Sequence, residues 1–253
     1  MWAEDRHHRI LSLLIAQGRI ETDSLAEALK VSRETVRRDL LKLEAAGKLR
    51  RVHGGVIAAE LPAEKPFEMR RQANAPEKRR IAKAAVRLLK SGECCFIDAG
   101  TTTAAFAVEL AKVPGIAVIT NSLDVASTLR AASSDADILL LGGQVGADVP
   151  ATYGEIALSQ IGRFRPDAAI ISPVGLHPGH GATAYFLPEA EIARSMIANA
   201  RRLIMLADRS KLGETSRVRL CGCDDIDVLV TDKGGHAVLE PSKKAGVKFI
   251  VEA

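Results

Sequence analysis

No apolar run in these 253 residues approaches the ~20 that a bilayer-spanning helix needs. The opening Met1-Trp-Ala-Glu-Asp-Arg6 lacks the hydrophobic segment of a secretory leader. Both absences lead to the expectation of a cytoplasmic protein with no membrane partner. Cysteine is scarce: Cys94, Cys95, Cys221 and Cys223 form two tight pairs within apolar or strand-like segments. That usage fits small buried hydrophobes in a reducing compartment. No complementary ligand pair accompanies Cys221-x-Cys223, so no metal is expected. Nucleotide-cofactor signatures are missing too, with no GxxxxGK(S/T) and no GxGxxG, and no serine sits in a GxSxG elbow. Neither a cofactor nor a catalytic residue is expected. Internal repeats and low-complexity tracts are absent as well.

With 47% hydrophobic and 26% charged residues, the chain reads as soluble and globular. It is long enough for one small core and one of roughly 180 residues. The net charge of +4 is unevenly placed. Between Lys30 and Arg51 eight basic residues face three acidic ones, whereas residues 57–253 carry 24 basic and 23 acidic side chains. A positive stripe on a near-neutral body fits a polyanion-binding head.

That stripe contains Val31-Ser-Arg-Glu-Thr-Val-Arg-Arg-Asp-Leu40. Ser32 is a good N-cap, and Val36, Leu40 and Leu43 mark the buried face of the helix it starts. Arg33, Glu34, Thr35, Arg37 and Arg38 are left on or near the exposed face, placed to meet base edges or phosphates. Two shorter helices precede it, at 6–17 and from about 22 to 30, with stops at Gly18 and, for the third helix, Gly47. Lys48 to Ile57 reads as a hairpin around Gly54-Gly55. Helix-helix-helix-hairpin is a winged helix-turn-helix, its wing carrying Arg50, Arg51 and His53 near phosphate or the minor groove. The expected divisions are residues 1–57 for this head, 58–74 for a linker containing Pro62 and Pro66, and 75–253 for a larger domain.

In the larger domain strands are expected at 94–98, 116–120, 137–141, 168–173, 203–207, 226–231 and 247–251. They alternate with helices near 76–92, 102–112, 122–132, 154–162, 188–200 and 237–244. Most of the strands are continuous apolar runs, the mark of a mainly parallel sheet covered on both faces, an α/β fold. Ligands of such sheets gather beyond the strand carboxyl ends. Those ends carry Asp98-Ala-Gly-Thr-Thr-Thr103, Thr120-Asn-Ser122, Gly142-Gly143 and Asp208-Arg-Ser-Lys211. Gly100 with Thr101, Thr102 and Thr103 opens a helix and is the best phosphate candidate. Lys211 offers a charge for phosphate, and Asp98 or Asp208 offers acceptors for sugar hydroxyls. Lys78, Arg79, Arg80 and Lys83 form a basic cluster that is either a solvated helix face or a reach toward the anion. His177-Pro-Gly-His180-Gly reads as a mobile glycine-rich loop.

Taken together, these motifs resemble the DeoR family of bacterial sugar-metabolism transcription regulators over nearly the whole length. The carriers are Ser32-x-x-Thr35-Val-Arg-Arg-Asp-Leu40 and Arg51-x-His53-Gly-Gly55, then Ile81-Ala-Lys83, Phe96-Ile-Asp98-Ala-Gly-Thr-Thr102 and Thr120-Asn-Ser122. Gly142-Gly143, Gly154, Glu189, Asp208-x-Ser-Lys211 and Thr231-Asp232 follow in order. The resemblance implies a large domain similar in fold to sugar-phosphate isomerases, a phosphorylated sugar or polyol as inducer, and a homo-oligomer, dimer or tetramer, on double-stranded operator DNA. It also implies effector contacts from Lys83, Asp98, Thr120, Asn121, Ser122, Gly142, Gly143, Glu189, Asp208 and Lys211. One departure stands out: members often place a basic residue at the position of Ala193, and Arg194 follows it here.

The expectation is therefore a repressor of a sugar or polyol operon, not an enzyme, released from DNA by its inducer. Two alternatives remain beside it. One is a phosphosugar isomerase-like enzyme with an appended head, using Asp98, Glu189 and Lys211 to move protons. The other is a transcriptional activator of the same architecture.

Overall fold

Apolar spacing near the amino terminus folds, in the computed structural model, into α1 (Ala3–Gln17), β1 (Arg19–Glu21), α2 (Thr22–Leu29) and α3 (Arg33–Ala45). The strands β2 (Leu49–Val52) and β3 (Gly55–Ala58) follow. Residues 3–17, 19–45, 49–52, 54–58, 64–132, 137–234 and 236–253 are described. They divide into two units, Met1–Ala63 and Glu64–Ala253. In the first, Ile10, Leu14, Leu25, Leu29, Val36, Leu40 and Leu43 make one buried cluster, the stripes expected of the three helices. Lys30 adopts φ 54° and closes α2 by donating its amide to Ala26 and Glu27, which makes the turn into α3 short. Strands β2 and β3 pair antiparallel from Leu49↔Ala58 to Val52↔Gly55, the expected hairpin. The sequence reading missed β1, which pairs with β3. A Cβ on Gly55 would lie 2.3 Å from the Ile20 carbonyl oxygen, so only glycine admits that strand. His53, the stops at Gly18 and Gly47, and linker residues 59–63 lie outside the described residues.

The second unit runs α4 (Phe67–Gln72), α5 (Ala75–Val86), β4 (Cys94–Ile97), α6 (Thr101–Leu110), β5 (Ala117–Thr120), α7 (Leu123–Ala132) and β6 (Ile138–Leu140). It continues through β7 (Gln144–Val145), β8 (Thr152–Tyr153), α8 (Glu155–Ile161), β9 (Ala168–Ile171), β10 (Gly175–His177), β11 (Gly181–Ala184) and α9 (Leu187–Asn199). Last come β12 (Leu203–Leu206), β13 (Val218–Cys221), β14 (Val228–Thr231), α10 (His236–Lys244) and β15 (Phe249–Glu252). All seven expected strands enter one sheet of order β15-β14-β12-β9-β4-β5-β6. Every neighbouring pair in it is parallel.

Alternation along each strand sends side chains to opposite faces. Cys95 and Ile97 join one buried cluster with Ile81, Phe106 and Val125 of α5, α6 and α7. Phe96 joins the other, with Ala157, Met196 and Leu239 of α8, α9 and α10. Helices therefore cover both faces. From β4 the chain winds outward through β5 to β6, then returns to the other side of β4 as β9 and winds the opposite way. The reversal leaves a crevice at the carboxyl ends of β4 and β9, the place where doubly wound sheets bind ligands.

Two expectations are corrected here. Residues 64–74 are not linker: Phe67 is buried in the larger core, and its amide donates to the Asp148 carboxylate at 3.1 Å. Pro66, read as a loop signal, instead sits at the N-cap of α4, where proline interrupts no helical bond. His177 and Gly181, read as loop, belong to strands instead: they end β10 and begin β11, which pair antiparallel with each other, and β11 pairs onward with β13. Small residues (Gly181-Ala-Thr-Ala184) hid that strand, because they carry neither bulk nor alternation.

Candidate functional site

The crevice between β4 and β9 opens into a cavity of about 230 Å³. Asp98, Ala99, Gly100 and Thr101 come from the end of β4 and the start of α6, and Ser172, Pro173 and Val174 from the end of β9. Asp208, Ser210 and Lys211 follow β12, and Glu189 and Ala193 project from α9. Glu64, Arg70, Asn74 and Lys78 close the remaining wall from the segment at the amino edge of the domain. The volume is below the ~300 Å³ lower end of drug-sized sites and suits a small metabolite.

Cations and carboxyls are both crowded here, and their partners show what each can do. Lys211 Nζ donates to Ser172 Oγ at 2.8 Å, and Lys78 Nζ donates to the Arg70 carbonyl. Burial pulls the Lys211 pKa down to about 8, with the charge of Lys78 adding to the effect and that of Asp208 opposing it. Burial also lowers Lys78. On the other side, burial raises Asp98 to about 8 against the pull of the Ala99 amide, with the Glu189 charge pushing further. Burial and the Glu64 charge raise Glu189 to about 7. At neutral pH Asp98 therefore holds its proton and can both donate to and accept from a hydroxyl, without repelling an anion. The three basic groups, together with the free amides and positive dipole end at the start of α6, favour an anion beside them. A molecule carrying both an anionic group and hydroxyls matches this lining.

Of the expected contact residues, Asp98, Gly100, Thr101, Glu189, Asp208 and Lys211 line the cavity. Asp208 is committed locally, accepting from the Ser210 amide and from Asn74 Nδ2, both at 3.1 Å. The remaining candidates lie elsewhere. Thr102 and Thr103 are buried within α6, and Thr103 Oγ1 donates to the Gly100 carbonyl at 2.9 Å. Thr120, Asn121 and Ser122 are buried behind the cavity as a brace. Thr120 Oγ1 donates to the Ile97 carbonyl at 2.6 Å, Asn121 Oδ1 accepts from the Ala99 amide at 3.1 Å, and Ser122 Oγ caps α7 through the Val125 amide at 3.2 Å. Gly142 and Gly143 do not line the cavity: at φ 141°, a Cβ on Gly143 would lie 2.4 Å from the Tyr153 carbonyl oxygen. Lys83 is exposed in a separate shallow groove with Arg79 and Arg80 on α5; of that basic cluster only Lys78 turns inward. Ala193 faces the cavity, whereas Arg194 pairs with Glu191 at 2.7 Å and does not line it.

Sequence reasoning missed Glu64, Arg70, Asn74 and Ser172. The available signal was Pro66-Phe67 followed by Arg70-Arg71, a helix-opening proline, one apolar anchor and a basic pair.

In the amino-terminal unit Ser32 is the N-cap it was expected to be: its Oγ accepts from the Thr35 amide at 3.2 Å and lies 2.9 Å from Thr35 Oγ1. Ser32, Arg33, Glu34, Arg37 and Arg38 are exposed, and Thr35 is half-buried. Arg33 pairs with Asp23 at 2.6 Å and Arg38 with Glu34 at 3.4 Å. Arg50 and Arg51 are exposed on β2, where Arg51 donates its amide to Glu44 of α3 at 2.9 Å and so ties the wing to that helix. Asp39 faces inward. Its carboxylate accepts from Arg6 Nε at 2.7 Å and lies 3.0 Å from His7 Nε2, fastening α3 to α1. Those bonds hold the Asp39 pKa low against the opposing effect of burial.

Comparison with known proteins covers both units. A model of the DeoR-like helix-turn-helix domain matches residues 6–61, and one of the DeoR C terminal sensor domain matches residues 73–233. The chain is 34% identical over 253 residues to the HTH-type transcriptional repressor GlcR of Bacillus subtilis (strain 168), covering 99% of this chain and 97% of the relative. It is 32% identical over 227 residues to the glycerol-3-phosphate regulon repressor of Escherichia coli (strain K12), covering 90% of each. A partial likeness in structure links it to ribose 5-phosphate isomerase A from Methanocaldococcus jannaschii, with a TM-score of 0.41 and 18% identity over 55% of each chain. An exposed basic helix-turn-helix, a doubly wound domain with its cavity at the strand reversal, and relatives matching from end to end lead to one family: this chain belongs to the DeoR family of transcriptional regulators.

Proposed function

We propose that this chain is an operator-binding transcriptional repressor of a sugar or polyol operon, relieved by a phosphorylated sugar or polyol bound in the cavity at β4 and β9. The observation that carries the reading is a cavity that gathers Arg70, Lys78, Lys211 and the start of α6 together with Asp98, a carboxyl whose pKa burial raises to about 8. The relatives are named repressors, one of them of a glycerol-3-phosphate regulon. In this reading α3 enters the major groove, Arg33, Glu34, Thr35, Arg37 and Arg38 meet bases or phosphates, and Arg50 and Arg51 hold the flanking backbone. Two copies on a two-fold operator would supply the half-site spacing, so a homodimer or tetramer is the acting species. Thermal-shift screening of phosphorylated sugars and polyols tests the ligand class. A ligand at 100 times its dissociation constant stabilises the folded state by about 2.7 kcal/mol, and a panel without any shift counts against the reading.

A second reading, a phosphosugar isomerase with an appended head, is favoured by the convergence of Asp98, Glu189 and Lys211 on one cavity with pKa values near neutrality. Incubation with ribose 5-phosphate followed by product analysis separates the two: turnover above background favours the enzyme.

A further inference from the structure

The cavity's anion already has a rival within the chain. Arg70, one of its three basic groups, is engaged by Glu64, whose Oε1 lies 2.7 Å from the guanidinium with both side chains largely buried. A second carboxylate, Asp148, stands 3.6 Å from the same guanidinium but is mostly exposed. Glu64 lines the cavity and is close enough to Lys211 for each charge to act on the other. Burial raises its pKa, and the charges of Arg70 and Lys211 pull the other way. Glu64 is also the first residue of the larger unit, six positions after the end of β3 in the other.

We propose that Glu64 is an internal stand-in for the effector's anionic group, occupying the Arg70 end of the cavity until a phosphate displaces it. The inference rests on the reading that the cavity takes a phosphorylated metabolite, and it names how that site is regulated. A phosphate dianion satisfies Arg70 and Lys211 better than one carboxylate does, because it brings more charge and three acceptor oxygens to donors already in place. Both anions cannot occupy the same low-dielectric end, since like charges there repel strongly. In this proposal the Glu64 carboxylate gives way as phosphate enters, and Glu64 is also the first residue of the larger unit. Glu64 also sets a threshold: any anion too weak to compete with it is ignored, which screens the cavity against carboxylate metabolites.

The test is calorimetric titration of inorganic phosphate, and separately of acetate, into the full-length protein and its Glu64→Gln and Glu64→Asp variants. Glutamine keeps the shape and removes the charge; aspartate keeps the charge and shortens the reach. Glu64→Gln is expected to bind phosphate about tenfold more tightly than the unaltered protein and to acquire measurable acetate binding. Glu64→Asp is expected to fall between the two, which preserves the test if glutamine disturbs folding. Equal phosphate affinity in all three proteins overturns the stand-in role while leaving the site reading intact. Weaker phosphate binding in Glu64→Gln overturns it as well, by making Glu64 a support for Arg70 rather than a competitor. Failure of all three to bind phosphate overturns the site reading and the inference together.

Discussion

Replacing Asp98 by asparagine should stabilise the ligand-free sensor domain in alkaline solution and hardly alter it in acid. Asp98 sits at the end of β4 with 7% of its surface exposed, and its pKa is raised from the usual 3.8 to about 8, chiefly by burial. A carboxyl with a raised folded-state pKa binds its proton more tightly when folded. Between the two values the native state therefore holds the extra proton, and stability falls as pH rises across that window. At about 1.4 kcal/mol per pKa unit, the full penalty above pH 8 is on the order of 5 kcal/mol. Coupling to Glu189 and local relaxation reduce what a single replacement recovers, to roughly 2–4 kcal/mol between about pH 5 and about pH 8.5. For a domain of this size each kcal/mol moves Tm by roughly 2–4 °C, so the variant should gain roughly 5–12 °C on the wild type across that range. Asparagine still offers an oxygen to the Ala99 amide, which Asp98 Oδ1 meets at 2.7 Å, so the loop keeps its anchor. Thermal unfolding of both proteins at several pH values is the assay. Parallel Tm-versus-pH curves would refute the placement of an uncompensated carboxyl in the crevice.

Three further outcomes follow from the same geometry. Arg37→Ala with Arg38→Ala should abolish binding to promoter DNA in a gel-shift assay yet change Tm little, because both residues are exposed and the Arg38–Glu34 pair contributes at most about 0.5 kcal/mol. Phe67→Ala should destabilise the sensor domain by about 3–5 kcal/mol in urea unfolding, since the ring is buried in the larger core; a surface linker would give almost none of that loss. Lys211→Met should remove phosphate-ester binding in calorimetry while raising apo stability by about 1–2 kcal/mol below pH 8, the range in which a lysine lowered to about 8 carries its full desolvation cost. That gain should shrink as pH climbs toward 10.5, where the unfolded chain also loses the proton.

The large-domain strands were legible because each is a continuous apolar run flanked by small or polar residues, and burial on both faces demands that composition. Their order was not, since nothing in Ala168–Ile171 marks it as the partner of Cys94–Ile97. Asp98, Gly100, Thr101, Asp208 and Lys211 could be gathered by asking what lies at strand ends, whereas Glu189 came from the family resemblance. That same rule drew in Thr120, Asn121 and Ser122, whose hydroxyls and amide are spent bracing neighbouring loops. Polar residues at a strand end serve a ligand or the backbone, and sequence does not separate the two. Arg70 escaped because the six-residue α4 is too short to show a helical period, and its single anchor, Phe67, lies between a proline and a run of charges. In the head, the Ser32 cap and the stripe of Val36, Leu40 and Leu43 were plain, but Asp39 reads as one more exposed acid until Arg6 and His7 are seen closing on it.

Fluorescence anisotropy of the full-length protein on a labelled fragment of its own promoter, titrated with ribose 5-phosphate, glycerol 3-phosphate and their unphosphorylated counterparts, links cavity to operator in one experiment. At least one phosphorylated compound should release the DNA, its dephosphorylated form should not, and Lys211→Met should stay bound throughout. Occupancy indifferent to every phosphorylated sugar and polyol, or release that persists undiminished in Lys211→Met, would contradict control of DNA binding from this cavity.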